Sequence, residues 1–155
     1  MTDLTQPIHA SAFAHNGAGC LILGPSGSGK SRIMAEAMAL GAKMVADDRV
    51  QLMPMAGLLA AAPVAEIASI VELRGLGLVR MNDALTRHVL HLVVELDPAA
   101  TDRLPIVEKR DFLGVVLPYV RIPPAPHTHG GALMIFLKAM QEGRVLPADW
   151  RPKAV

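Results

Sequence analysis

The chain has 155 residues, of which 52% are hydrophobic, 19% charged and only 3% aromatic, and its formal net charge is +1. This balance, without a cluster of lysines and arginines, argues against nucleic acid or a membrane surface as the partner, and the few aromatic side chains argue against stacking on single strands. The length favours a single domain over residues 1–155, and the absence of both a signal-peptide pattern and an apolar run of about 20 residues favours a cytoplasmic protein.

The first predicted elements surround a glycine-rich segment. The short apolar run at residues 18–23 predicts a buried strand, in which Cys20 is a small core residue. Residues 29–40 are rich in strong helix formers and are followed by Gly41, a natural helix end. Residues 42–48 predict a second strand that ends in two aspartates. A strand, helix and strand of these lengths predict a parallel, right-handed βαβ unit.

The remainder of the chain predicts further strands and a closing helix. In chain order we expect short strands and turns at 49–63, an apolar segment with a sharp turn at 67–81, a strand at 88–97, a turn at 99–105, one or two strands at 112–123, a loop at 123–131 and a helix at 132–143. Within 49–63, Pro54, Gly57 and Pro63 are expected to break the strands. The predicted fold class is α/β, with a partly parallel sheet that carries a phosphate loop and antiparallel additions.

The glycine-rich segment, "GPSGSGKS", matches the pattern G-x-x-x-x-G-K-[ST] between a predicted strand and a predicted helix. Glycines let the backbone turn so that successive N–H groups face one anion, and the positive end of the helix points to the same place. The predicted phosphate-binding residues are Gly24, Pro25, Ser26, Gly27, Ser28, Gly29, Lys30 and Ser31. Lys30 would contact the β- and γ-phosphates and Ser31 would bind Mg²⁺. By itself this loop fits a kinase, an ATPase or a nucleotide switch.

Asp47 and Asp48 form the second candidate feature. They fall where the second strand ends, at the edge at which α/β sheets bind ligands. Neighbouring side chains on a strand point in opposite directions, so the two carboxylates could divide the work. One could hold Mg²⁺, directly or through water, while the other accepts a proton from an attacking hydroxyl. The alternative is a solvated turn.

Two further segments, "KMVADDRV" and "VELRGLGLV", follow the loop, and with it they resemble the catalytic domain of the HPr kinase/phosphorylase family. That family combines a phosphate loop, an Ala-Asp-Asp strand end and a Glu-x-Arg-Gly-Leu-Gly signature. The resemblance runs from about His9 to about Met140, and a short form without the family's N-terminal domain is expected. From composition alone, the "RGLG" segment could equally be a tight turn.

The resemblance implies a site and a reaction. It implies that Lys30 binds the nucleotide, that Ser31 and Glu72 bind magnesium, and that Asp48 accepts the proton with Asp47 beside it. It also implies catalytic roles for His9, which matches the family's upstream histidine, and for Arg103, which matches a later arginine that helps the transferring phosphoryl group. The implied function is an ATP- and Mg²⁺-dependent serine kinase that phosphorylates an HPr-type phosphocarrier protein, and the family also implies a homo-oligomer, a hexamer.

Differences from the family keep other functions open. The loop before the last helix is basic in the family, whereas residues 123–131 contain histidines and no lysine or arginine. This favours the kinase reaction over phosphorolysis. Two alternatives remain: a nucleotide-sensing regulatory module with little or no transfer activity, and a small-molecule kinase or ATPase of another phosphate-loop family. His127 and His129 have a spacing that can bind zinc, but a solvated loop is the simpler interpretation.

Overall fold

A six-stranded sheet forms the centre of the molecule in the computed structural model, which describes residues 2–147 and 149–153. In chain order its strands are β2 (Ser11–His15), β3 (Ala18–Leu23), β4 (Lys43–Ala46), β10 (Leu92–Leu96), β11 (Glu108–Phe112) and β12 (Val115–Ile122). Their order across the sheet is β11-β12-β10-β3-β2-β4. Strand β10 pairs in parallel with β3 and with β12, and the other pairings are antiparallel. The predicted α/β class, with a partly parallel sheet, is therefore confirmed.

One face of this sheet is covered by two helices and a two-stranded ribbon. The helices are α1 (Lys30–Ala39) and α2 (Gly130–Gln141), and the ribbon is formed by β7 (Ile70–Leu73) and β8 (Gly77–Arg80). Ile33 and Met34 of α1 pack with Leu133 of α2 and with Val71 of β7 in one buried cluster. Cys20 belongs to the same cluster, as the sequence predicts, and burial raises the pKa of its thiol.

The other face is covered by a second sheet. Its strands are β1 (Ile8–His9), β5 (Arg49–Met55), β6 (Leu58–Pro63) and β9 (His88–Val89), in the order β1-β5-β6-β9. A short 3-10 helix follows β6 at Ala65–Ile67. Val50 and Leu59 from this sheet pack against Leu21 and Val93 of the central one. The core therefore has two layers, one on each side of the six-stranded sheet.

The predicted βαβ unit is present with one correction. Strands β3 and β4 run in the same direction, because each pairs antiparallel with β2, but β2 lies between them. The sequence predicts no element at residues 8–15, where the structure has β2 and, before it, a two-residue strand. The reason is that β2 is buried over Ser11–Ala14 and therefore lacks the alternation that marks a half-exposed strand.

Three boundary predictions were wrong. Pro54 does not break a strand but pairs with Leu59 inside the β5–β6 hairpin. The single strand expected at 88–97 is two strands, β9 and β10, which belong to different sheets. The last helix begins at Gly130 rather than 132. Between β9 and β10 the chain passes from the second sheet to the central one, since Leu90 N–H donates to Leu59 O and His91 N–H donates to Gly19 O.

In the part of the chain that is described, no helix is long and apolar enough to span a bilayer.

Candidate active site

The glycine-rich loop, residues 24–31, connects the end of β3 to the start of α1. Gly24, Gly27 and Gly29 all have positive φ angles, of 151°, 80° and 95°. The first backbone hydrogen bond of α1 runs from Ile33 N–H to Gly29 O at 2.9 Å. Gly29 offers no side-chain cap, and the first turn of α1 has no acidic residue. The positive end of the helix therefore faces the loop without a negative charge from its own first turn.

Lys30 is buried beside this loop. Its Nζ donates hydrogen bonds to Gly24 O at 2.8 Å and to Pro25 O at 3.0 Å. Burial lowers the pKa of the Lys30 ammonium, while the negative charges of Asp48 and Asp47 oppose that shift. The two carboxylates therefore act on the same ammonium from the end of β4.

Asp47 is the buried member of the acidic pair, with 5% of its surface exposed. Its Oδ1 accepts a hydrogen bond from Ser31 Oγ at 2.8 Å and another from Ser11 Oγ at 2.6 Å. The first bond ties the last residue of the glycine-rich loop to the end of β4. The second comes from the first residue of β2. Sequence reasoning missed Ser11, because its role depends on the insertion of β2 between β3 and β4.

Asp48 is the exposed member, and its environment is different. Its φ of 67° lies in the left-handed region, which non-glycine residues adopt at a cost and which is common at functional sites. This turn directs its carboxylate to His9, whose Nδ1 lies 3.1 Å from both Asp48 Oδ1 and Asp48 O. Ala10 N–H also donates to Asp48 O at 3.3 Å. His9 is well placed to orient the Asp48 carboxylate.

Glu72 and Arg103 lie outside this group. Glu72 is exposed on β7, which packs along α1 through Val71. Arg103 is exposed in the segment before β11 and lines a groove of about 1260 Å³ together with His127 and Phe136. Within residues 2–147 and 149–153, neither side chain makes a hydrogen bond or ion pair with the residues gathered around the loop. The magnesium role of Glu72 and the phosphoryl role of Arg103 therefore stay predictions.

The loop at 123–129 borders the glycine-rich loop. Ala125 N–H donates to Ser28 O at 3.0 Å, and a Cβ added at Gly29 would lie 2.5 Å from the Cβ of Ala125. Only glycine fits at position 29 for this reason as well as for its φ angle.

His129 Nδ1 accepts a hydrogen bond from Ala132 N–H at 3.2 Å and so caps α2. In the described part of the chain, no group of three or more His, Cys, Asp or Glu side chains is arranged to hold a metal ion.

A third carboxylate, Asp97, lies at the same edge of the sheet, directly after β10. Its side chain accepts a hydrogen bond from Ala99 N–H at 2.9 Å and forms an ion pair with Arg121 at 3.8 Å. The first contact makes Asp97 part of a local turn, and the second ties it to β12. The group that remains directed at the glycine-rich loop is Lys30, Ser31, Asp47 and Asp48, with His9 beside it.

The fold and the site define a mixed α/β domain that gathers a lysine, a serine and two carboxylates where its central strands end. Residues 3–141 match the family model of the HPr Serine kinase C-terminal domain, and the chain belongs to that family. The family predicted from the residues is confirmed.

Similar proteins agree with this assignment. The HPr kinase/phosphorylase of Geobacter sulfurreducens is 33% identical over 136 residues, covering 79% of this chain and 42% of that protein. The HPr kinase/phosphorylase of Geobacillus thermodenitrificans is 34% identical over 135 residues, covering 79% and 43%. The chain thus spans less than half the length of these curated relatives.

A solved structure has a similar fold. It is described as the Hpr(Ser) kinase/phosphatase from Coxiella burnetii, and it matches with a TM-score of 0.73, covering 90% of this chain and 96% of that chain. Its sequence identity is 21%, so the likeness concerns the fold.

Proposed function

We propose that this chain is a protein serine kinase that transfers the γ-phosphoryl group of ATP to a serine of an HPr-type phosphocarrier protein, with Mg²⁺ as cofactor. The family, and the names of the similar proteins, support the carrier as the substrate. The observation that carries the chemistry is the hydrogen bond from Ser31 to Asp47 beside Lys30, because it joins the glycine-rich loop to the acidic strand end. In this proposal residues 1–155 act as one kinase domain, and the homo-oligomer stays a prediction.

The residues at the loop fit a triphosphate and a magnesium ion. The uncapped start of α1 and the Lys30 ammonium are donors for an anion. The hydroxyl of Ser28 is buried and has no hydrogen-bond partner in the described part of the chain. Mg²⁺ prefers oxygen ligands, and the Ser31 hydroxyl would hold it, with the Glu72 carboxylate as the second ligand that the family resemblance implies. Bound Mg²⁺ would neutralise charge on the phosphate oxygens.

The two aspartates would have separate roles. Asp48 is exposed and oriented by His9, so its carboxylate can accept the proton of the substrate serine as that oxygen bonds to the γ-phosphorus. The bond from the γ-phosphorus to its bridging oxygen breaks, ADP leaves, and the proton remains on Asp48. Asp47 is buried and would orient Ser31 instead. Lys30 would hold the β- and γ-phosphates in line for this transfer, and Arg103 would assist the moving phosphoryl group.

Phosphate transfer to a purified HPr-type carrier tests the proposal. The protein is incubated with ATP, Mg²⁺ and the carrier, and mass spectrometry determines whether a serine gains one phosphate. Asp48→Asn should lower the transfer rate by about 10²- to 10⁴-fold, the usual contribution of a general base, and should leave ATP binding in place. Lys30→Ala should abolish nucleotide binding or transfer.

Asp111→Asn is a matched control for the loss of one carboxylate. Asp111 lies on β11, at the edge of the central sheet opposite β4, and accepts a hydrogen bond from Gly114 N–H that asparagine can keep. Its transfer rate should equal that of the wild type. Unchanged transfer by Asp48→Asn would contradict the assigned base. ATP binding without transfer to any carrier would instead favour the nucleotide-sensing module.

A further inference from the structure

Ser11 lies beneath the candidate active site and contacts the acidic strand end. It is the first residue of β2, it is 1% exposed, and its Oγ donates to Asp47 Oδ1 at 2.6 Å. Ala10 and Ala12 on either side of it are fully buried. Within the described residues, the Ser11 hydroxyl makes no hydrogen bond other than the one to Asp47.

Asp47 needs this bond because it is a carboxylate with little access to water. A buried charged group is costly unless donors surround it, and hydrogen bonds to charged groups are stronger than neutral ones. Both donors, Ser11 and Ser31, meet the same oxygen atom, Oδ1. Removing Ser11 would leave that oxygen held by Ser31 alone, and the carboxylate could rotate about its terminal torsion, which is a soft one.

The orientation of Asp47 determines the orientation of Ser31. A serine hydroxyl has one proton and two lone pairs. When the Ser31 hydroxyl donates its hydrogen bond to Asp47, its lone pairs are free to face a cation on the other side. Partners of metal ligands fix ligand orientation in this way, and their loss commonly lowers metal affinity by about 10- to 100-fold.

We propose that Ser11 is a positioning residue for magnesium binding, acting through Asp47 on Ser31. This inference rests on the proposed function, since it assumes that Ser31 binds Mg²⁺ together with ATP. Ser11 touches neither the nucleotide nor the reacting atoms in this proposal. Its hydroxyl holds the Asp47 carboxylate at the angle at which Ser31 presents its lone pairs to the cation.

The test measures how far Mg²⁺ improves nucleotide binding. A fluorescent, non-hydrolysable ATP analogue is titrated with and without Mg²⁺, and the ratio of the two dissociation constants is compared among variants. Ser11→Ala removes the hydroxyl and reduces volume, whereas Ser11→Cys keeps the position filled, with a slightly larger group, and replaces the hydroxyl with a weak donor. We expect both to reduce the Mg²⁺ effect by about tenfold, the lower end for partners of metal ligands. Affinity without Mg²⁺ should stay within about twofold of the wild type, because the Ser11 hydroxyl donates to Asp47 and to no residue of the glycine-rich loop.

Tyr119→Phe is the matched control. Tyr119 is also buried in the central sheet, and its hydroxyl donates to a carboxylate, that of Glu95, on the other side of β3. It should keep the full Mg²⁺ effect. If Mg²⁺ improves nucleotide binding by the wild type, and by both Ser11 variants to the same extent, the inference is overturned and the proposed function still stands. A Ser11→Cys protein that behaves as the wild type would also overturn it, because volume and not the hydroxyl would then be the cause. A wild type without any Mg²⁺ effect would refute the proposed function, and this inference with it.

Discussion

Gly130 provides the sharpest test of how the structure positions the glycine-rich loop. It is the first residue of α2, and it lies directly against α1, the helix that begins at Lys30. A Cβ at position 130 would lie 2.4 Å from Ala37 N, 2.4 Å from Ile33 O and 2.8 Å from Glu36 Cβ. Two of these atoms belong to the backbone of α1, so no change of rotamer can relieve the overlap.

The expected cost of Gly130→Ala follows from this geometry. Forcing an extra methyl group into a packed interface costs about 1–3 kcal/mol, and contact with backbone favours the upper end. Alanine regains up to about 1 kcal/mol through its better helix propensity. The net loss of unfolding free energy is therefore about 2 kcal/mol. With a urea dependence of about 2 kcal/mol per molar for a protein of this size, the unfolding midpoint should fall by about 1 M.

Gly131→Ala is the matched control on the adjacent residue. Its Cβ would meet Leu40 Cδ1 at 3.2 Å, the end of a flexible side chain that is 62% exposed and can move away. This variant should gain up to about 1 kcal/mol from helix propensity. Urea unfolding followed by circular dichroism measures both variants. Equal midpoints for Gly130→Ala and the wild type would refute the close contact between α1 and α2.

Two further predictions concern a histidine and the loop. Burial, and secondly a neighbouring histidine, lower the pKa of His91 below its ordinary 6.5, and its Nδ1 accepts Gly19 N–H at 3.0 Å. As pH drops, the His91 imidazole is protonated in the unfolded chain before it is protonated in the folded one, so the unfolding free energy should fall from about pH 6.5 towards the folded pKa. His91→Gln should flatten that fall when the unfolding free energy is measured by urea titration at several pH values. An unchanged pH dependence in this variant would contradict the assignment. Gly24→Ala should weaken ATP binding about tenfold or more, because its Cβ would lie 2.8 Å from Ser28 Oγ at a φ of 151°. Gly27→Ala, strained by its φ of 80° but open in space, should lose less in the same titration, and equal losses would argue against the overlap at position 24.

Local pattern was enough to predict the elements around the loop. Strand β3 was predicted at residues 18–23, where it lies, and α1 was predicted within one residue at each end. Strand β2 was missed because it is buried on both faces, and strand β11 was missed for the opposite reason. It is an edge strand with four exposed residues, "EKRD", which protect the edge from pairing but give no hydrophobic signal. The division of residues 88–97 into β9 and β10 was missed because a continuous apolar run does not indicate which sheet each part joins.

Some residues of the candidate site could likewise be predicted from local pattern, and others could not. Lys30, Ser31, Asp47 and Asp48 could be predicted to approach one another, because strands that run in the same direction end at the same edge of a sheet. Ser11 could not be predicted, because that required knowing which strand lies between β3 and β4. The strand spacing makes this strand important: β3 and β4 are second neighbours, about 10 Å apart, and β2 fills the space between them.

The inserted strand also explains why two adjacent aspartates differ so much. Asp47 is at the end of β4, beside β2, so its side chain turns inward, where Ser11 and Ser31 hold it. Asp48 then leaves the strand through a left-handed turn, and its carboxylate emerges beside His9 on β1. Burial and two donors make Asp47 a fixed hydrogen-bond acceptor, and the exposure of Asp48 suits the proton-acceptor role that we propose for it. Exchanging the two roles would require both the turn at Asp48 and the position of β2 to change.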